Sequence, residues 1–224
     1  MIKFTLNNTI LAVYFVLISF ISNGQITDAK VVYEVKMDSD DPMLSQQLSM
    51  MTGSTMTMFF KENNFRQDMD MNMMKSSTVY NEKRSEGIVL MELMGLRKGA
   101  RIDSLLNSKN EEKDNNASVE VTDEKKTIAG FECSKVIVED SSGMEMIMYV
   151  TDEIEARNNK NTYGNSKVKG FPLKIEMDLD QLSMTLTATQ VVEKVKKSMF
   201  DTKIPDGYEI VSYEALMQLM QGMN

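Results

Sequence analysis

Methionine occupies every second position in three stretches of this chain: Met56 and Met58; Met69, Met71 and Met73; and Met144, Met146 and Met148. A period of two puts side chains on one face of a β-strand, so each stretch predicts a strand with a soft apolar face. The intervening positions are wet. Phe65, Met69, Met71 and Met73 are interleaved with Arg66, Asp68, Asp70 and Asn72. Met56, Met58 and Phe60 have Thr55 and Thr57 between and before them. Near the C-terminal third, Ile175, Met177 and Leu179 alternate with Lys174, Glu176 and Asp178. After the Asp180-Gln181 turn, Leu182, Met184 and Leu186 alternate with Ser183, Thr185 and Thr187, a hairpin pattern.

Shorter segments fill the rest. Lys30–Met37 reads as a strand, and Asp41-Pro42 then supplies an N-cap and a first-turn proline for a helix over Pro42–Met51, ended by Gly53. Glu62-Asn63-Asn64 is a turn. Strands are predicted over Ser77–Asn81 and Ile88–Met94 with a charged turn around Glu86-Gly87 between them. Val119–Thr122 and Glu132–Glu139 flank Ala129-Gly130, and Met144–Thr151 follows. Ser108–Asn116 and Asn158–Gly170 are polar loops. A final helix over Tyr213–Met223 carries Leu216, Leu219, Met220 and Met223 on one face. The connections are mostly too short for parallel crossovers. The expected fold is therefore mainly β: a curved antiparallel sheet, one face wet and one buried, with helices packed on its apolar face.

The N-terminus reads differently. Lys3 precedes an uncharged apolar run of 12 residues, Ile10 to Ile21, and Ser22 and Gly24 put small side chains before Gln25. This is a signal-peptide pattern with cleavage before Gln25. As a helix the run would cover about 18 Å, short of a hydrocarbon core of about 30 Å, so a membrane anchor is the lesser reading. No cysteine lies near the cleavage point to carry a lipid. The expectation is a signal peptide over 1–24 and a single domain over 25–224, soluble in the periplasm or outside the cell and not membrane-spanning. Cys133 is the one cysteine, so no internal disulfide staples that domain, and its setting in Phe131–Val138 suits a small buried hydrophobe.

Charge and chemistry narrow the function classes. The net charge of −8 becomes −9 when Lys3 leaves with the signal peptide. Such a chain repels nucleic acid and anionic membrane surfaces. There is no histidine, which removes histidine triads, Cys–His pairs and His-based zinc sites. No glycine-rich phosphate loop is present, and Asp68 and Asp70 fall on the polar side of their strand, where carboxylates are ordinarily solvated. Neither catalysis nor a cofactor is expected. Thioethers can ligate Cu(I), and Met69–Met74 is a candidate, but a hydrophobic face explains more of the pattern.

The methionine face has two readings. It is a core filled by the protein's own helices, or a groove for an apolar ligand such as a lipid or lipoprotein acyl chain. The candidate lining residues are Met56, Met58, Phe60, Phe65, Met69, Met71 and Met73 from the first half, with Met144, Met146, Met148, Met177 and Met184 from the second. Asn158–Gly170 is a candidate rim loop whose Lys160, Lys167 and Lys169 suit an anionic headgroup or an acidic envelope protein.

The order of elements resembles the periplasmic lipoprotein-carrier superfamily of the LolA and LolB type. More closely, the chain resembles a family of exported bacterial proteins, many from Bacteroidetes, known as a domain of unknown function within that superfamily. The matching segments are Lys126–Cys133 (KTIAGFEC), Tyr149–Ile154 (YVTDEI), Gly170–Met177 (GFPLKIEM) and Ile204–Tyr208 (IPDGY). Phe59–Arg66 is similar to a carrier strand–turn–strand ending in arginine, which makes Arg66 the matching position. The carriers' functional arginine falls earlier, where Glu62 stands here, and Tyr80-Asn81 lacks the proline of their Tyr-Asp-Pro turn. The resemblance implies a half-open barrel of near eleven short strands with a helix plug.

Overall fold

A computed structural model of the chain describes residues 24–102, 117–156, 168–179 and 181–221. Strand β1 (Asp28–Asp38) leads through helix α1 (Pro42–Ser49) into a meander of β2 (Thr55–Lys61), β3 (Asn64–Met71), β4 (Met74–Asn81), β5 (Glu86–Leu93) and β6 (Leu96–Ile102). A second meander comprises β7 (Ser118–Ile128), β8 (Phe131–Glu139), β9 (Glu145–Thr151), β10 (Phe171–Leu179) and β11 (Leu182–Glu193). A two-residue β12 (Glu209–Ile210) and helix α2 (Tyr213–Gln221) close the chain. All twelve strands form one sheet in the order β12-β6-β5-β4-β3-β2-β1-β11-β10-β9-β8-β7. β1 joins the two meanders, antiparallel to β2 on one side and to β11 on the other. Of the strand pairs, β12 beside β6 is the parallel one.

The alternation in sequence sets the two faces. Ala29, Val31, Tyr33 and Val35 of β1 are buried, whereas Glu34 and Lys36 are exposed. Across the sheet the β7–β11 half curls until β7 touches β11, as accumulated strand twist demands. Bulges between Val32 and Tyr33, Pro172 and Lys174, and Val121 and Lys125 add to the bend. The N-terminal approach closes the same half: Ile26 N donates to Glu153 O at 2.8 Å and Glu155 N to Ile26 O at 2.9 Å. Inside lies the main core, including Val31, Tyr33, Met58, Met148, Leu173 and Ile175. Each such side chain contributes about 1.5–3 kcal/mol relative to exposure.

The β2–β6 flank stays open and is covered by the end of the chain. On the outer face, Phe200 and Ile204 pack on Phe59, Val79 and Ile88. The chain then rounds the β6 edge, where Val211 N donates to Gly99 O at 2.9 Å. α2 sets Leu216 on the inner-face residues Val89, Met91, Ala100 and Ile102. The expected helix on the concave face is therefore α2. α1 buries no residue and sits at the end of β1, held by the Asp41 carboxylate, which accepts from Met43 N (2.7 Å) and Leu44 N (3.0 Å). Its Leu44 and Leu48 form too narrow an apolar stripe to plug the barrel.

Several boundaries move. The strand expected through Met73 stops at Met71, because Asn72 turns the chain at φ 61° and β4 begins at Met74. Met144 belongs to a turn rather than a strand: the Asp140 carboxylate accepts from Ser142 N (2.8 Å) and Met144 N (3.0 Å), so β9 starts at Glu145. The turn placed at Glu86-Gly87 is a 3-10 turn at Glu82–Arg84, followed by Ser85 at φ 50°. The first helix ends at Ser49, the last is described as far as Gln221 with Met223 outside the described residues, and β7 runs on to Ile128. β6 and the two-residue β12 were not foreseen; with them the described residues form twelve strands, close to the near eleven that the resemblance implies. Residues 1–23 and the Ser108–Asn116 loop lie outside the described residues. No helix among the described residues is long and apolar enough to cross a membrane.

Candidate functional site

Cross-strand register turns scattered methionines into a row. Val138 of β8, Met146 of β9, Met177 of β10, Met184 of β11 and Met37 of β1 stand opposite one another in sequence across five strands. At a strand spacing of about 4.8 Å this row spans roughly 19 Å. Its four methionines are half-buried. One step deeper, Val136, Met148, Ile175, Leu186 and Val35 form a parallel row, and every member is buried. The concave face thus grades from a closed interior to a partly open methionine mouth at the end where β1 finishes. Unbranched, polarizable thioethers let such a mouth adapt to irregular apolar shapes.

The predicted lining residues separate into three groups along this gradient. Met56, Met58, Phe60 and Met148 are buried in the core, with Met58 beside Val31 and Phe60 beside Ala29 in register. The Phe60 and Phe171 rings meet at 5.3 Å between centroids. Phe65, Met69, Met71, Met146, Met177 and Met184 are half-buried on the same face. Met73 and Met144 are exposed residues of turns. Met37, missed by the sequence reading, belongs to the mouth row; its alternation with Val35 and Tyr33 in β1 was the available signal. Of the rim lysines, Lys169 is exposed, while Lys160 and Lys167 lie outside the described residues.

Met69 and Met71 share the inner face, Met71 stands opposite Met74, and Met73 projects at the turn. No group of three or more His, Cys, Asp or Glu side chains suited to a metal ion occurs among the described residues.

The outer face carries the polar chemistry. A groove of about 360 Å³ is lined by Thr57, Arg66, Asp68, Asp70, Lys75 and Tyr208, among others. Arg66 Nε donates to both Asp68 oxygens at 2.8 and 3.0 Å, Ser77 Oγ donates to Asp68 Oδ1 at 2.6 Å, and Lys75 pairs with Asp70 at 2.7 Å. Each carboxylate is already matched to a cation, so the pair forms ion-pair ladders rather than an acid–base couple. Arg66, singled out by resemblance, is half-buried between Asp68 and Met199 O (3.3 Å).

On the other half of the outer face, the Tyr149 hydroxyl donates to Glu124 at 2.7 Å, and Lys126 and Lys174 stand over its ring. The hydrogen bond to Glu124, then burial, pushes the phenol up to about 12. Cys133 is buried and donates to Phe131 O at 3.6 Å; burial pushes its thiol up to about 11, which keeps it an unreactive core group at neutral pH.

No protein-family model matches the chain, and no curated protein sequence matches it. Among solved structures the chain is similar to PNGF-II, with a TM-score of 0.49 and 11% identity over 87% of this chain. It spans about a third (33%) of the length of that protein. An uncharacterized conserved protein from Thermus thermophilus is similar with a TM-score of 0.45 and 10% identity, over 90% of this chain and 99% of that one. LprF from Mycobacterium bovis is similar with a TM-score of 0.34 and 11% identity, over 83% and 91% of the two chains.

Proposed function

We propose that this protein is a non-catalytic, exported binding or carrier module whose concave methionine face takes an apolar, lipid-like ligand in the periplasm or outside the cell. The observation that supports this most is the half-buried row Met146–Met177–Met184–Met37, with its closed apolar row behind it. A mouth of adaptable side chains on a pre-formed scaffold is what an acyl-chain site requires. The resemblance to the lipoprotein-carrier superfamily points the same way, with residues 1–24 as the signal for export and 25–224 as the working domain.

Native mass spectrometry of the protein extracted from its producing cell tests the reading, together with uptake of a fluorescent fatty acid. Co-purifying lipid and saturable uptake are expected. A bare mass with no uptake would favour the second reading, a structural or protein-interaction domain of the envelope with a self-filled core. That reading is favoured by the complete burial of Tyr33 and Met148 at 0% exposure. Binding of Cu(I) by the Met69–Met74 stretch is a lesser alternative, tested by metal analysis after anaerobic loading.

A further inference from the structure

The two ends of the sheet are built from different chemistry. At the end where β1 finishes, the chain passes through α1, the β3–β4 turn, the β5–β6 turn and the β8–β9 turn. Among the described residues, seven of the eleven exposed large hydrophobic side chains are found there, including Met43, Met50, Met73, Met94 and Met144. The described turns of the opposite end carry Glu62-Asn63, Glu82–Ser85, Ala129-Gly130 and Asp152-Glu153, with no exposed large hydrophobic side chain.

Three of these methionine-bearing tips are tied into one platform. Asn72 Nδ2 donates to Met50 O at 2.9 Å and to Thr52 O at 3.2 Å, linking the exit of α1 to the β3–β4 turn. Met94 N donates to Met73 O at 3.3 Å, linking that turn to the next. On this bonded frame Met50, Met73 and Met94 are 63%, 57% and 81% exposed. A hollow of about 360 Å³ lies between the last two, bounded by Asn72, Lys75, Glu92 and Gly95. Met94 at φ 49° and Gly95 at φ 88° make a turn whose first position favours asparagine or aspartate. A methionine there contributes nothing to the core and is held out into water.

Charge completes the description. Lys75 and Arg97 near the platform are engaged by Asp70 (2.7 Å) and Glu92 (3.2 Å). Asp38, Asp40, Asp41, Glu139, Glu145 and Asp178 at the same end are exposed and have no ion-pair partner among the described residues. The surface is therefore apolar, deformable and acidic.

We propose that this end of the sheet is a docking surface for a cationic amphipathic segment of a partner protein. Flexible methionines accept an apolar helix or strand face of varied shape, as they do on other promiscuous binding surfaces. The unpaired carboxylates at the same end of the sheet select lysine and arginine and speed the encounter. The same carboxylates disfavour an anionic membrane and a second copy of this surface. This surface adjoins the ligand mouth at the same end of the sheet, but Met50, Met73 and Met94 are not members of the mouth row, so the platform can be tested without altering it.

The test uses the purified protein and a labelled Lys/Leu amphipathic peptide of about 18 residues, roughly five helical turns. A Glu/Leu peptide of the same pattern and phospholipid vesicles, zwitterionic or anionic, serve as competing probes. The cationic peptide is expected to bind, more weakly as salt rises. The triple variant Met50→Gln, Met73→Gln, Met94→Asn should weaken it by on the order of ten-fold with an unchanged Tm, as asparagine accepts the left-handed turn position. Val192→Gln, an exposed position elsewhere, should change nothing. Absence of binding, equal binding by the triple variant, or equal capture of the acidic peptide would overturn the proposal. Vesicle binding lost in the triple variant without peptide binding would assign the surface to lipid. A dimer lost in that variant would assign it to a second copy.

Discussion

Met148 and Met184 stand on the same concave face, one step apart in depth, and alanine at each should report what that face is. Met148 is 0% exposed and enclosed by Val136 and Ile175 in register. Truncating an enclosed methionine removes its transfer free energy and leaves a cavity, a cost of about 2–5 kcal/mol. Met184 is half-buried at the mouth, so only part of the full-burial value of about 1.5–3 kcal/mol is at stake, and solvent fills the space it leaves. Its loss should cost about 1 kcal/mol. For a domain of this size each kcal/mol moves Tm by about 2–4 °C, so Met148→Ala should lower Tm by at least about 4 °C and Met184→Ala by no more than about 4 °C. Urea unfolding at constant slope measures both directly. Fatty-acid uptake per folded molecule should fall for Met184→Ala and hold for Met148→Ala. A Met148→Ala protein within about 0.5 kcal/mol of the parent would show that this side chain borders a void, refuting the packed interior. Equal costs at the two sites would make the mouth row part of the core.

Two further outcomes follow from single contacts. Replacing Glu124 by glutamine should return the Tyr149 phenol from about 12 toward its ordinary 10.0, read by phenolate absorbance on alkaline titration. Because the folded-state value is raised, the associated stability is present below pH 10 and is lost as pH climbs toward 12; an unmoved titration in the variant would refute the assignment to Glu124. Gly87→Ala should destabilise by on the order of 1–3 kcal/mol, measured by urea unfolding. Its Cβ would lie 2.8 Å from Val79 O and 2.9 Å from Ile102 Cγ1, and a carbonyl fixed in the β4–β5 ladder cannot withdraw. A change below about 0.5 kcal/mol would mean that the flank repacks freely.

Local pattern was sufficient for the class of fold. Alternation over Phe65–Met71, Ile175–Leu179 and Leu182–Leu186 assigns strand and face together, since a one-residue error in parity would expose every apolar side chain. Asp41-Pro42 marks the start of α1 because capping is decided by neighbouring residues. The same locality explains the errors. Met73 continues the parity of β3, but the left-handed backbone of Asn72 ends the strand first. β6 (LRKGARI) alternates too weakly to be recognised, and gains its place from pairing with β5 and from α2 on its inner face.

What lies far apart in sequence was decided by tertiary structure. Nothing local indicates that β1 pairs with β11, yet that pairing places Met37 opposite Met184 and completes the mouth row. Depth also belongs to the assembled sheet: Met148 and Met146 have the same chemistry and parity, and differ because one stands a row further from the open end. The gathering of Met50, Met73 and Met94 on one bonded platform is of the same kind, arising from hydrogen bonds between three separate turns. Sequence period assigns a residue to a face; register between strands distant in the chain assigns it to a neighbour, a depth and an end.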